Sequence, residues 1–173
     1  DLLAGFDKKY RLGPPYNANT AESYGLAEQL PAQLVCDAAA RECRLEVGDD
    51  VAGRATAGEL WRCELRVLLQ HLTYTDRVRL IWNGEEIPEE AWRKADWTYQ
   101  LRPRPDYAVD AYRLHVDLKQ LQRLPLVGVN RLGVEVLEKD AQLIHPVTLA
   151  DIELIVEYLP HRNALREDEE YLA

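Results

Sequence analysis

Paired carboxylates are the first chemistry to look for in this chain, and seven acidic residues offer themselves: Asp76, Glu89, Glu90, Asp96, Asp106, Asp110 and Asp117. Two carboxyl groups facing each other across a sugar suffice to hydrolyse a glycosidic bond. Spacing along the chain selects no pair, and each of these acids also fits a turn, a helix start or an outward strand position. Among the histidines, His71, His115, His145 and His161, only His115 has a suggestive neighbour, because it shares the outward face of one strand with Asp117. No His-x-His, HExxH or Cys-x-x-Cys spacing appears, nor a Gly-x-Ser-x-Gly elbow or a phosphate loop. The residues therefore read as a non-enzyme with no catalytic set, no metal site and no cofactor.

Aromatic residues carry the stronger functional expectation. A sugar presents flat C–H faces that an exposed ring can cover, while acids and amides beside the ring bind its hydroxyls. Trp92 and Trp97 lie in one short stretch with Glu90, Asp96 and Tyr99. The expected ligand-binding residues are Trp92, Asp96, Trp97 and Tyr99. Against this, Trp61, Trp82 and Trp97 all fit inward strand registers, and a large aromatic is more often core than platform.

These residues must be held by strands. Val78, Leu80 and Trp82 alternate with Arg77, Arg79 and Ile81, the period of a strand with one buried face. Asn83-Gly84 follows, a strong hairpin signal because both central residues of a type I′ turn need positive φ. Trp61, Cys63, Leu65, Val67 and Leu69 alternate with Arg62, Glu64, Arg66 and Leu68 in the cleanest strand. Further alternating runs are Cys43–Val47, Trp97–Leu101, Tyr112–Leu118, Leu132–Val136 and Ile152–Tyr158, and Leu34 and Cys36 begin another. Asp49-Asp50 is a candidate N-cap for a short helix from Val51 to Ala57 that ends at Gly58. Pro88–Lys94 reads as a single helical turn, with Pro first and two acids after it. About eight strands with turn signals at 8–12-residue spacing predict an all-β fold, an antiparallel β-sandwich of jelly-roll type.

Around that sandwich, assigned to residues 30–160, residues 1–29 read as an extended N-terminal segment or linker. It is broken by Gly and Pro, yet Phe6, Tyr10, Tyr16 and Tyr24 suggest that it lies against a surface, of this domain or another. Residues 161–173 read as an acidic tail. The formal net charge of −9 argues against nucleic-acid and membrane-surface binding, which need basic faces. Three cysteines are too few for a disulfide framework. Cys36 and Cys43 could pair across a turn, but Cys43 and Cys63 fit better as small core residues.

Val78-x-Leu80-x-x-Asn83-Gly84, then Tyr112-x-Leu114-x-Val116-x-Leu118-Lys119-Gln120-Leu121, then Gly128-x-Asn130-x-Leu132-x-Val134-x-Val136 form a recognisable series. Over residues 60 to 158 it resembles the galactose-binding-like jelly-roll modules of glycoside hydrolases, including the sugar-binding-type domain of the β-galactosidase family. It departs from them in placing two residues between Leu80 and Asn83. The resemblance implies a non-catalytic accessory module of a larger carbohydrate-active enzyme, whose partners are a catalytic domain and a carbohydrate. The alternative is a self-standing carbohydrate-binding or protein-interaction domain. The motif carries no catalytic residue and no fixed sugar contact.

Overall fold

A computed structural model describes residues 7–12, 30–36, 38–72, 75–96, 111–141 and 146–159. Its elements in chain order are β1 (Asp7–Leu12), β2 (Ala32–Leu34), β3 (Arg41–Val47), α1 (Val51–Thr56), β4 (Leu60–Gln70), β5 (Arg77–Trp82), β6 (Glu85–Ile87), β7 (Trp92–Asp96), β8 (Ala111–Asp117), β9 (Gly128–Glu138) and β10 (Val147–Tyr158). They form an all-β antiparallel sandwich of two sheets. The six-stranded sheet runs β1-β10-β4-β8-β7, with β2 also on β10, and the four-stranded sheet runs β3-β9-β5-β6.

The pairing is nested about one hairpin. β5 pairs with β6 across Asn83-Gly84, β4 pairs with β8, β3 with β9, and β2 with β10. Asn83 (φ 50°) and Gly84 (φ 86°) take the two positive φ values that the type I′ turn requires. Alternate residues from both sheets, among them Leu45, Leu65, Leu80, Leu114, Leu132 and Leu154, fill one continuous core. Trp82 lies fully inside it.

A polar clamp ties the hairpin to the β8–β9 connection. Asn130 is wholly buried. Its Oδ1 accepts from Asn83 Nδ2 (2.9 Å) and Leu126 N (2.7 Å), and its Nδ2 donates to Leu126 O (2.9 Å) and Gly128 O (3.2 Å). Asn83 Oδ1 accepts from Arg131 N at 2.9 Å. The Arg123 guanidinium donates to the carbonyls of Trp82 (2.7 Å), Glu85 (2.7 Å) and Glu86 (2.9 Å), and Trp82 Nε1 donates to Arg123 O (3.0 Å). The motif residues of the hairpin and of the Gly-x-Asn corner thus hold each other.

Several expectations need correction. Trp61 does not face inward. β4 and β10 slip register between Arg62↔Glu157 and Leu60↔Tyr158, so Trp61 is the extra residue of a β-bulge, and it is 62% exposed. Pro88–Lys94 is helical only as a 3₁₀ turn over Glu89–Ala91, because from Trp92 the chain pairs with β8 instead. Residues 118–122 form the turn after β8, where Asp117 Oδ1 accepts from Gln120 N at 3.0 Å. Within the stretch 1–29, Asp7–Leu12 is a strand of this domain's own sheet, hydrogen-bonded to β10. Cys36, Cys43 and Cys63 are free thiols. Burial, aided by the Asp117 charge, pushes Cys63 up to about 12, as suits a core residue. The helix α1 is capped as expected, with Asp50 Oδ1 accepting from Gly53 N at 3.0 Å. The expected strand Trp97–Leu101 and the tail 161–173 lie outside the described residues.

Replacing Asn130 by Ala removes four hydrogen bonds from a site closed to water. Each stranded buried group costs about 1–3 kcal/mol. Urea unfolding of Asn130→Ala should show a loss of about 3 kcal/mol. A loss within about 0.5 kcal/mol, the range of ordinary surface substitutions, would show that the clamp is not structural.

Candidate functional site

Because β4, β8 and β7 lie side by side, their outward residues form one surface. The register sets Glu64 opposite Asp117, Arg66 opposite His115, and His115 opposite Arg93. Where this face meets the 3₁₀ turn and the start of β7 there is a shallow depression of about 340 Å³. It is lined by Arg62, Glu64, Glu90, Ala91, Trp92, Arg93, His115 and Asp117.

Glu64 is the electrostatic centre of this surface. Its Oε1 lies 2.5 Å from His115 Nδ1 and 3.4 Å from Arg66 Nε, and its Oε2 lies 3.6 Å from Arg62 NH1. Arg62 also holds Glu157, NH2 to Oε1, at 2.5 Å. Burial pushes the Glu64 carboxyl up, but hydrogen bonds from His115 and Arg66 and the Arg66 charge outweigh it and hold the group below the ordinary 4.5. An ionised carboxylate only accepts, so the proton of this contact sits on His115 Nδ1 and the imidazole Nε2 is left for a ligand or solvent. One oxygen of Asp117 is already spent on capping the following turn. Among the described residues, no three His, Cys, Asp or Glu side chains are grouped to hold a metal ion.

Of the four residues expected to bind a ligand, only Trp92 is seen at this depression. It is half-buried, pairs with Val116 on the inward register of an edge strand, and packs against the main core while bordering the cavity. It is joined there by Glu90. Asp96 ends β7 opposite Tyr112, four residues and about 13 Å along the strand from Trp92. Trp97 and Tyr99 lie outside the described residues.

The outward positions of Arg62, Glu64, His115 and Asp117 follow from alternation. Nothing in the sequence says that β4 and β8 are neighbours, so their assembly around Glu64 was hidden. Compared with models of protein families, with curated proteins and with solved structures, the chain matches none.

The Glu64 environment has a pH signature. A carboxyl held below its unfolded value contributes stability that is complete above that value and is lost as pH falls through the folded one. Glu64→Gln should cost about 1–2 kcal/mol near neutral pH. The gap between wild type and Glu64→Gln should shrink as pH drops below the ordinary 4.5. Thermal unfolding across that range is the check, and a gap that stays constant with pH would contradict the assignment.

Proposed function

We propose that this chain is a non-catalytic β-sandwich module of a larger carbohydrate-active protein, contacting sugar weakly at the Trp92 depression. The observation that carries the reading is the depression itself, where an indole borders a cavity walled by side chains that can bind hydroxyls. His115 offers Nε2, Arg93 makes no ion pair among the described residues, and Asp117 has a second carboxylate oxygen.

The strand order supports the finer fold reading. Chain segments before and after the Asn83-Gly84 tip pair in nested fashion and alternate between sheets, as expected of a long hairpin rolled into a jelly roll. The resemblance to galactose-binding-like modules rests on the hairpin and the Gly-x-Asn corner. Their place in the clamp gives both motifs a structural role, in keeping with a module whose turns do no chemistry.

A second reading, a protein-interaction domain, is favoured by exposed apolar residues. Leu126, Val127 and Val129 on the β8–β9 connection, with Leu159 after β10, are all exposed. The connection starts beside β4, where Leu118 N donates to Cys63 O, and Leu159 N donates to Glu59 O just before β4. These residues therefore gather at one end of the sandwich, where a parent domain could pack.

Affinity electrophoresis against a panel of soluble polysaccharides tests the sugar reading. Retardation by one glycan is expected, with Arg93→Ala weakening it about tenfold, as loss of a charge-assisted hydrogen bond does. Retardation by none of them would sink the carbohydrate reading and leave the protein-docking one.

A further inference from the structure

We propose that Trp61 is the main stacking platform of this site and that its ligand is an uncharged glycan, an inference that rests on the carbohydrate reading above. Trp61 stands between inward Leu60 and outward Arg62, and the β-bulge places it with Arg62 opposite Glu157. Two residues opposing one project to the same side of the sheet. Trp61 therefore joins the outer face of the six-stranded sheet, as the chain neighbour of Arg62, which lines the depression.

The local cost of this arrangement argues for a use. An unbulged β4 would carry Trp61 into the core, as its alternation suggests, and burying a large side chain is worth roughly 1.5–3 kcal/mol. The bulge buries the smaller Leu60 in its place and interrupts the ladder there. The outcome is a ring 62% exposed at the start of β4, while Trp92 packs against the core. Trp61 is held from behind, since Lys119 Nζ donates to its carbonyl at 3.1 Å. A large exposed ring on a hydrogen-bonded backbone loses little freedom when a flat C–H surface settles on it.

The charge pattern selects the ligand class. The chain as a whole carries −9, while this patch keeps a small acidic excess, with Glu64, Glu90 and Asp117 against Arg62 and Arg93. Arg62 is paired with Glu157 and Arg66 with Glu64, and the lining residues that make no ion pair among the described residues are Glu90 and Asp117, both acidic, and Arg93, which is basic. A uronate would be repelled here, and an amino sugar would gain only from that small acidic excess while disturbing existing pairs. Neutral hydroxyls are different: fixed carboxylates and guanidiniums keep spare lone pairs and N–H groups that bind them without a change in charge.

The test is a titration of the full chain, followed by calorimetry, with neutral oligosaccharides and with uronate-bearing and amine-bearing ones, at low and at high salt. Binding of a neutral glycan, insensitive to salt, is expected. Trp61→Ala should weaken it at least tenfold and Trp61→Tyr should restore most of the loss, with both variants keeping the wild-type unfolding midpoint. If Trp61→Ala binds as wild type does while Arg93→Ala is weakened, the platform is wrong and the carbohydrate reading stands. Preference for a charged glycan, lost at high salt, would overturn the ligand class. Binding to no glycan by the wild type would overturn this inference together with the reading beneath it.

Discussion

The amide of Asn130 is the point on which the nested architecture turns. A side-chain amide has two donor hydrogens and a carbonyl oxygen with two lone pairs. All four are used here, on Leu126 N and O, Gly128 O and Asn83 Nδ2. No other side chain offers that set in that volume. A buried polar group with every valence satisfied favours one register over its neighbours, because a one-residue slip would strand several groups away from water at once. Arg123 adds three bonds to carbonyls of the same hairpin, so the tip of the ribbon is fixed by partners some forty residues later in the chain.

That constraint reaches the outer face through Asp117. The residue ends β8 and caps the turn that begins the clamped connection, while also lining the depression. The start of β4 is tied to the same turn, where Leu118 N and Lys119 N both approach Cys63 O. Registers of β4 and β8 are thereby set together, which brings Glu64 and His115 within hydrogen-bond reach on adjacent strands. The ion pairs across this face add little stability individually. Their effect is to hold the side chains in place, which on the proposed carbohydrate reading would preorganise groups able to bind hydroxyls.

How much of this was legible follows from what each signal depends on. The inward faces of β3, β5, β8 and β9 were readable because alternation is local, and the hairpin and the Asp50 cap because turn and cap chemistry are local too. Trp61 was misread because a bulge is a property of two strands, and β4 alone shows an unbroken period. The start of β7 was misread because Pro88-Glu89-Glu90 does begin a helical turn, which strand pairing with β8 ends at Trp92. In the N-terminal stretch Gly and Pro obscured β1, a strand defined chiefly by its partner β10. The candidate site was legible residue by residue as outward positions, and Trp92 was named, but the cluster around Glu64 depends on strand order. Asp96 ends the same strand opposite Tyr112.

Two surfaces of this domain obey different physics. At the end that carries Leu126, Val127, Val129 and Leu159, association would draw on apolar area removed from water, a term that is large only when a wide surface is covered. On the outer face of the six-stranded sheet many of the groups are charged and several are paired, with Trp61 exposed beside them. Such a face gains little from covering by another protein, whose side chains would have to replace water at every ion pair. A small hydroxylated ligand can be bound there with those pairs intact. Trp61 lies between Glu59 and Cys63, whose carbonyls accept from Leu159 N and Leu118 N, so it stands where the apolar end meets this face. A partner docked on that end would reach the Trp61 ring, and the docking and sugar-contacting proposals therefore bear on the same residue.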